Sequence, residues 1–227
     1  MPTAAPVESE KPNGPRSRKG VQTRARLLEA AKEIFEENGF LEARISDIAE
    51  RAGLSHGSFY HYFDSKEEIF REVAEAVDER LSEPMNSVIL APSSSATPAE
   101  RIHEAMRRHL ASYRDEARIM GVIEQVSRYD DHVDTMRAKR HQDYRKQMAD
   151  SIRQLQRKGL ADRSLDPDIA AGALGAMTSR FPEMWLVQGY MDCNFDDAVE
   201  QLAKLFVNAL GLKDESEASP RRRPKTN

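Results

Sequence analysis

The stretch HGSFYHYFDSKEE, from His56 to Glu68, concentrates side chains that can contact nucleic acid. Four aromatic residues fall within residues 59–63, although only 7% of the chain is aromatic. Histidines, a glycine and serines accompany them. Hydroxyl and imidazole groups bind phosphates and base edges, and a glycine lets the backbone approach a partner closely. The stretch therefore indicates a DNA-contacting surface more than an ordinary apolar core.

The sequence does not indicate catalysis. It has no glycine-rich phosphate loop, no paired-histidine metal spacing and no nucleophile motif. His103 and His109 are six residues apart, so they fall on different faces of a helix. The single cysteine, Cys193, excludes an internal disulfide and a cysteine-based zinc site, and its acidic neighbours disfavour a thiolate. We predict a protein that is not an enzyme and that uses no cofactor or metal.

Charge and hydropathy place the chain in a broad class. Charged residues make up 32% of the 227 residues, and the mean hydropathy is −0.68. No run of 18 apolar residues and no N-terminal apolar signal segment occurs, so we expect a cytoplasmic protein without a membrane partner. The net charge of −4 argues weakly against nucleic acid, but five bases and no acid lie between Arg16 and Arg26. That local charge of +5 lies close to the aromatic stretch.

Apolar periodicity predicts an all-α protein with about nine helices. Three short helices near the N-terminus, with a tight turn at Gly53-Leu54-Ser55, fit a helix-turn-helix. Longer helices after Pro98 form a larger C-terminal bundle. Pro182 predicts a kink or break in the helix that contains it. Four helix starts carry capping residues, and these are Ser55, either Asp64 or Ser65, Thr97 with Glu100, and Asp166.

The aromatic residues divide by depth when the stretch is placed on a helix. Phe59 and Phe63 fall on one side and anchor the helix to its neighbours, whereas Tyr60 and His61 fall on the other and face DNA. His56, Gly57 and Ser58 supply a small tip for a major groove.

The segment GFLEARISDIAERAGLSHGSFYHYFDSKEEIF resembles the N-terminal DNA-binding domain of TetR-family transcriptional regulators. The resemblance covers about residues 22–70. It depends on the agreement of glycines, aromatics and spacing, and the matching elements are Gly39-Phe40, Ile48-Ala49, Ala52-Gly53-Leu54-Ser55, Gly57, Phe59-Tyr60, Tyr62-Phe63, Lys66-Glu67 and Ile69.

The resemblance implies a three-helix DNA-binding domain joined by its fourth helix to a helical ligand-binding domain. It also implies a homodimer that represses transcription from a palindromic operator and is released by a small molecule. The residues themselves fit an activator equally well. Matching positions imply DNA contacts at Ser46, His56, Gly57, Ser58, Tyr60, His61 and Lys66.

Three arginines complete the expected DNA surface. Arg24 and Arg26, at the start of the first helix, are phosphate candidates. Arg44 stands where the family usually has a threonine that caps the second helix. It can reach a phosphate instead, and the capping role passes to Ser46 or goes unfilled.

Large apolar side chains on the middle helices of the C-terminal part predict an effector pocket for a small apolar molecule, such as a lipid or acyl derivative. The alternative is that this stripe is ordinary core and that Glu124 faces solvent. The pocket candidates are Tyr113, Met120, Ile123, Glu124, Met177, Phe181 and Trp185. The last helix, from about Asp196 to Leu210, is expected at the dimer interface through Val199, Leu202, Leu205 and Phe206.

Four segments follow from these patterns. We expect a disordered basic arm over 1–19, the helix-turn-helix domain over 20–66, the ligand-binding and dimerisation domain over 67–212, and a disordered basic tail over 213–227. The arm either enters a minor groove or only solubilises the chain. The competing overall interpretation is a helical adaptor that does not bind DNA.

Overall fold

The computed structural model of the protein describes residues 17–89 and 96–213. Throughout these residues the regular structure is helical, which confirms the all-α prediction. It comprises α1 (Arg18–Glu42), α2 (Ile45–Arg51), α3 (His56–Phe59), α4 (Lys66–Ile89), α5 (Pro98–Asp115), α6 (Ala117–Ser127), α7 (Asp131–Lys158), α8 (Pro167–Pro182), a π-helical turn (Glu183–Val187) and α9 (Phe195–Leu210).

The first compact unit ends at Val73 and contains α1, α2, α3 and the start of α4. Its core is aromatic. The ring of Phe35 meets that of Phe70 edge-on with centroids 5.0 Å apart, and Phe40 lies 4.9 Å from Phe70. These rings join the end of α1 to the first turns of α4. Helical geometry in α1 breaks at Gly39, whose φ of 73° is accessible to glycine at little cost.

The helix-turn-helix forms largely as the sequence predicts. Gly53 makes the turn after α2 with a φ of 68°, and the Ser55 side chain caps α3 by accepting from the backbone N–H of Ser58. Arg44 is the N-cap residue of α2 but makes no capping hydrogen bond, and the Ser46 hydroxyl donates to Asp47 instead. The capping role at α2 is therefore unfilled by a side chain.

The second compact unit begins at Ala74 and is built around α5, α7, α8 and α9. The expected capping box at the start of α5 is present, with Thr97 and Glu100 bonding each other's backbone. The Asp166 cap of α8 is present as well. The core of this unit consists of apolar residues from all four helices, including Ile102, Met106, Leu110, Met148, Ile152, Leu174, Val199, Leu202 and Phe206.

The burial of α9 corrects the expected dimer interface. Val199, Leu202 and Phe206 lie in the core of their own chain, at most 4% exposed. Side chains covered by α5 within one protomer do not form a surface for a second protomer. Leu205 alone of the four predicted residues is exposed, at 54%.

Two segment boundaries differ from the sequence-based ones. α1 begins at Arg18, inside the segment expected to be an arm, with the Ser17 hydroxyl as its cap. The compact units divide between Val73 and Ala74, within α4, whereas the sequence placed the division after Lys66. Most of the predicted arm, and the tail from residue 214, lie outside the described residues.

Within residues 17–89 and 96–213, no helix combines the length and apolar character that a membrane crossing requires. The same residues contain no group of three or more histidine, cysteine, aspartate or glutamate side chains placed to hold a metal ion.

Candidate DNA-binding surface and ligand cavity

The short helix α3 and the turn after it separate buried from exposed aromatic rings. Phe59 and Phe63 are 0% and 1% exposed, whereas Tyr60 is 48% exposed. His56 and His61 are exposed as well, and the ring of His56 contacts that of Tyr60. The first unit is thus held by the phenylalanines, and the side chains with polar tips remain available to a partner.

Gly57, on the exposed side of α3, is not required by the fold. A Cβ built at this position has no atom within 4 Å, and the backbone there is ordinary helix. Neither packing nor a left-handed conformation explains the glycine. A close-fitting external surface does explain it, because a methyl group there would hold the helix away from that surface.

The neighbours of Gly57 are held in place by local contacts. The rings of His56 and Tyr60 meet edge-on with centroids 5.4 Å apart. The hydroxyls of Ser55 and Ser58 are 2.7 Å apart, so they share a hydrogen bond. These contacts reduce the conformational freedom of the exposed side chains around Gly57.

Arg26, Arg44 and Ser46 are exposed, as a DNA contact requires. Arg24 and Lys66 already have partners within their own unit. Arg24 forms an ion pair with Glu72 and lies 4.7 Å from the centre of the Phe63 ring.

Lys66 is fully engaged at the end of α1. Its ammonium donates to the carbonyls of Phe40, Leu41 and Ala43 at 2.8, 3.2 and 2.9 Å. An ammonium has three N–H donors, so this arrangement uses all of them. These carbonyls belong to the segment where α1 ends after Gly39. Lys66 therefore joins α4 to the end of α1.

The second unit encloses a cavity of about 100 Å³ among α4, α5, α6, α7, α8 and the π-helical turn. Its lining residues are Leu81, His109, Tyr113, Met120, Arg137, Arg140, His141, Tyr144, Gly175, Thr178, Ser179 and Glu183. Tyrosine rings, Leu81 and Met120 give much of it an apolar surface. Most of the lining residues nevertheless carry a polar or charged atom.

Only two of the seven predicted pocket residues, Tyr113 and Met120, line this cavity. Ile123 is fully buried within the second unit. Met177, Phe181 and Trp185 pack, partly buried, against the core of the unit. For these side chains the alternative of an ordinary core stripe describes their position better.

Glu124 lies outside the cavity lining and is partly buried. It pairs with Arg128 at 2.8 Å and shares a hydrogen bond with Glu183. Burial pushes the pKa of Glu124 up, but the bonds from Glu183 and Arg128 outweigh this and lower it. The pKa of Glu183 is raised by burial and by Glu124.

Sequence reasoning missed the polar half of the cavity. Arg137, Arg140, His141 and Tyr144 follow each other at intervals of three, one and three residues, which places them on one face of α7. That spacing is visible in the sequence, although nothing there shows that this face is turned towards α5 and α8.

His109 connects three helices across the inner wall of the cavity. Its Nε2 lies 2.9 Å from the carbonyl oxygen of Thr178 and its Nδ1 lies 3.1 Å from that of Leu81. The residue four positions after Thr178 is Pro182, which has no N–H, so the Thr178 carbonyl lacks its helical donor. We assign the proton to Nε2, where it satisfies this carbonyl. Burial lowers the pKa of His109.

Asp78 and Arg140 form an ion pair between α4 and α7. Asp78 is only 3% exposed. Burial raises its pKa, while the charge of Arg140 opposes that change. Burial likewise lowers the pKa of Arg140, against the effect of Asp78. Removing either partner leaves a buried charge without its counter-ion, which is costly.

Comparison with known proteins agrees with this architecture. A family model described as bacterial regulatory proteins of the tetR family matches residues 27–73. A second model, the tetracyclin repressor-like C-terminal domain, matches residues 95–210. The two matched segments correspond to the two compact units.

Individual relatives cover most of the chain. The regulator UidR of Escherichia coli K12 is 30% identical over 162 residues, which are 70% of this chain and 74% of UidR. The repressor KstR2 of Mycobacterium tuberculosis H37Rv is 31% identical over 156 residues, 64% of this chain and 72% of its own. A TetR-family regulator from Mesorhizobium loti has the same fold, with a TM-score of 0.70, 20% identity and coverage of 85% and 98% of the two chains.

Proposed function

We propose that this chain, which belongs to the TetR family of bacterial transcriptional regulators, binds a palindromic operator as a homodimer and represses transcription until a small molecule enters its C-terminal cavity. Family membership makes it a helix-turn-helix transcription factor rather than an enzyme. The operator, the dimer, the effector and the direction of regulation are the proposal.

The exposed face of α3 carries the proposal for DNA. Gly57 has open space around it, and His56, Ser58, Tyr60 and His61 surround it. In a major groove the small tip approaches the base edges, while Tyr60 and His61 reach the sugar-phosphate backbone. Arg26, Arg44 and Ser46 add further donors for phosphates.

Arg24 and Lys66 are assigned a structural role and not a direct contact with DNA. Both are held by partners within the first unit, so we assign them the task of positioning the helices that carry the contacts.

The cavity of the second unit is the proposed effector site. It is enclosed by six elements and combines ring surfaces with a few polar groups, as small-molecule sites generally do. The small apolar effector expected from the sequence, such as a lipid or acyl derivative, fits this lining poorly, because two arginines and two tyrosines line the space. A compact molecule with at least one polar group fits it better.

The homodimer is proposed through the outer face of α9. Leu205 is exposed there, on the flank of the buried face, about 60° around the helix from Leu202 and about 100° from Phe206. A two-fold axis through such a face presents two copies of α3 to the two halves of a palindrome.

Selection of genomic DNA fragments by the purified full-length protein tests the proposal. The wild type is expected to enrich one palindromic sequence at fixed physiological salt, because phosphate contacts make the affinity depend steeply on salt. Tyr60→Phe combined with Gly57→Ala is expected to abolish the enrichment.

The matched control is Tyr129→Phe, which removes a hydroxyl from a tyrosine exposed in the second unit. It should select the same sequence as the wild type. If the folded wild type enriches no sequence, the DNA-binding proposal fails, and the adaptor interpretation replaces it.

A further inference from the structure

One face of α7 presents two guanidinium groups to the cavity. Arg137 and Arg140 are one turn apart, and both line the space. The described partner of Arg137 is the hydroxyl of Ser127, at 2.9 Å, rather than a carboxylate. Its charge also acts on Asp78 and Glu124. The guanidinium still lines the cavity, where it can bind a ligand.

Arg140 is already occupied by a carboxylate of the protein. Asp78 of α4 pairs with it, and Arg140 still forms part of the cavity wall. A planar guanidinium binds a carboxylate through two parallel N–H bonds. The Asp78 carboxylate thus shows which chemical group Arg140 can bind at this part of the cavity wall.

Hydroxyl donors lie on the other sides of the space. The oxygen of Tyr144 is buried and makes no hydrogen bond of normal geometry, although Thr178 is its neighbour. Tyr113 and Ser179 also line the cavity. Glu183, the carboxylate of the lining, is bonded to Arg180 at 2.6 Å, so its charge is already compensated.

The cavity limits the size of the ligand. Its volume of about 100 Å³ is below that of an engineered cavity of about 150 Å³ that holds benzene. The rings and Met120 offer contact to a small apolar body. An anionic head and a compact body together describe a short-chain carboxylic acid, because even benzene needs more space than this cavity offers.

We propose that the effector is a small organic carboxylate that binds Arg137 and competes with Asp78 for Arg140. This inference rests on the proposed function of the cavity as the effector site. When the ligand takes Arg140, Asp78 loses its counter-ion, and the link between α4 and α7 is broken. Because α4 also belongs to the DNA-binding unit, this gives effector binding a physical route to the operator.

A ligand panel tests the chemical class without DNA. The probes are acetate, propionate and isobutyrate, each beside its neutral amide, together with inorganic phosphate, all at equal ionic strength. At least one carboxylate is expected to raise the melting temperature of the full-length protein, since a ligand that binds only the folded state stabilises it. Its amide, which has a similar shape and no charge, should not.

Two arginine variants locate the binding. Arg137→Gln is expected to weaken the active carboxylate at least tenfold. Arg145→Gln removes an exposed arginine of the same helix that does not line the cavity, and it should bind as the wild type does. Four results would overturn the proposal. The melting temperature could rise equally with the amide, rise with phosphate alone or rise with no probe. Alternatively, Arg137→Gln could bind the carboxylate as tightly as the wild type does.

The competition with Asp78 has its own readouts. Asp78→Asn removes the competitor, so it should bind the active carboxylate several-fold more tightly, whereas a merely structural Asp78 predicts equal or weaker binding. If this variant does not fold, release of selected DNA from the wild-type complex tests the competition instead. The carboxylate should release that DNA and its amide should not; retention of DNA with the carboxylate bound would overturn the competition.

These outcomes are separate from those of the operator selection. A protein that selects a palindrome but binds no carboxylate refutes the inference and leaves DNA binding intact. A protein that binds a carboxylate at Arg137 but selects no DNA leaves the ligand class intact and refutes the regulator.

Discussion

The aromatic residues of α3 and its following turn show how adjacent side chains take different tasks. Phe59 is buried and Tyr60, its neighbour, is half exposed, with ring centroids 5.4 Å apart. The buried ring fixes the position of the exposed one. A helix of only four residues has few internal hydrogen bonds, so such anchoring holds it in place.

Gly57→Ala is expected to weaken operator binding at least tenfold and to leave stability equal or slightly higher. The open space around Gly57 accommodates a methyl group, and alanine is favoured over glycine in a helix by up to about 1 kcal/mol. Fluorescence anisotropy with the selected DNA and urea denaturation measure the two effects.

Gly53→Ala, unlike Gly57→Ala, is expected to destabilise the protein. The φ of 68° at Gly53 costs alanine about 1–2 kcal/mol, so the free energy of unfolding should fall. If Gly57→Ala destabilises the protein as much as Gly53→Ala does, the glycine serves the fold rather than DNA.

Lys66→Met is expected to lower the free energy of unfolding by about 1–2 kcal/mol, because three backbone carbonyls lose a charged donor that is partly exposed to water. It should not change the dependence of operator affinity on salt. Arg26→Gln should leave stability unchanged and reduce that logarithmic slope by about 1, as the loss of one phosphate contact does.

Salt titrations of DNA binding and urea denaturation of both variants distinguish these roles. A reduced salt slope for Lys66→Met at unchanged stability would restore Lys66 to the DNA contacts.

At the scale of the helix, α8 owes its end to Pro182. The α-helix stops there, and the chain continues as a π-helical turn in which Gln188 donates to the carbonyl of Glu183 at 2.9 Å. In place of the expected kink or break, the helix changes from α to π at this point without an interruption. The effect of Pro182 extends to α5, because the Thr178 carbonyl that loses its donor accepts from His109 instead.

His109 predicts a loss of stability in mild acid. Its pKa is lowered by burial in the folded state, so below the ordinary value of about 6.5 the unfolded chain takes up a proton that the folded chain refuses. Stability is therefore complete above that pH and falls as the pH drops. Between pH 7.5 and 5.5 the loss from this residue should be at most about 1.4 kcal/mol, the limit reached when the folded imidazole stays neutral.

His109→Gln keeps a donor for Thr178 without titrating, so urea denaturation at the two pH values should show a smaller loss than in the wild type. His132→Gln, at an exposed position of α7, is the control and should retain the wild-type loss. An unchanged loss in His109→Gln would show that other groups, such as His141, cause the acid sensitivity.

α2 begins without a side-chain cap. Arg44→Thr supplies one, and a cap of this kind stabilises by about 1 kcal/mol. The same change removes an exposed cation from the proposed DNA surface. We expect a higher melting temperature together with weaker operator binding, measured by calorimetry and anisotropy. Arg44→Ala separates the two effects, since it should weaken binding without raising the melting temperature.

At the scale of the whole molecule, the proposed dimer depends on what α9 leaves uncovered. Leu205→Glu places a charge on its exposed apolar position, and the buried core is not touched. We expect a monomer in sedimentation velocity, a retained helical circular dichroism spectrum and weak DNA binding. Tyr129→Glu, at a position with similar exposure in the second unit, should remain dimeric. A dimeric Leu205→Glu protein would place the interface elsewhere.

The sequence by itself determined the local features, which depend on residues close together along the chain. Ser55 with Ser58 and Thr97 with Glu100 are three residues apart, so caps and turns follow from short spacings. Helical periodicity likewise separated Phe59 and Phe63 from Tyr60.

Only the tertiary structure decided which charged groups meet. Lys66 bonds a carbonyl 26 residues away, and His109 bonds one 69 residues away. The packing of α7 and α8 places Arg137 and Arg140 in a cavity wall, and the packing of α5 on α9 covers residues expected at a dimer interface. Such contacts depend on which helix faces meet, and an amphipathic pattern shows that a face is buried without showing what buries it.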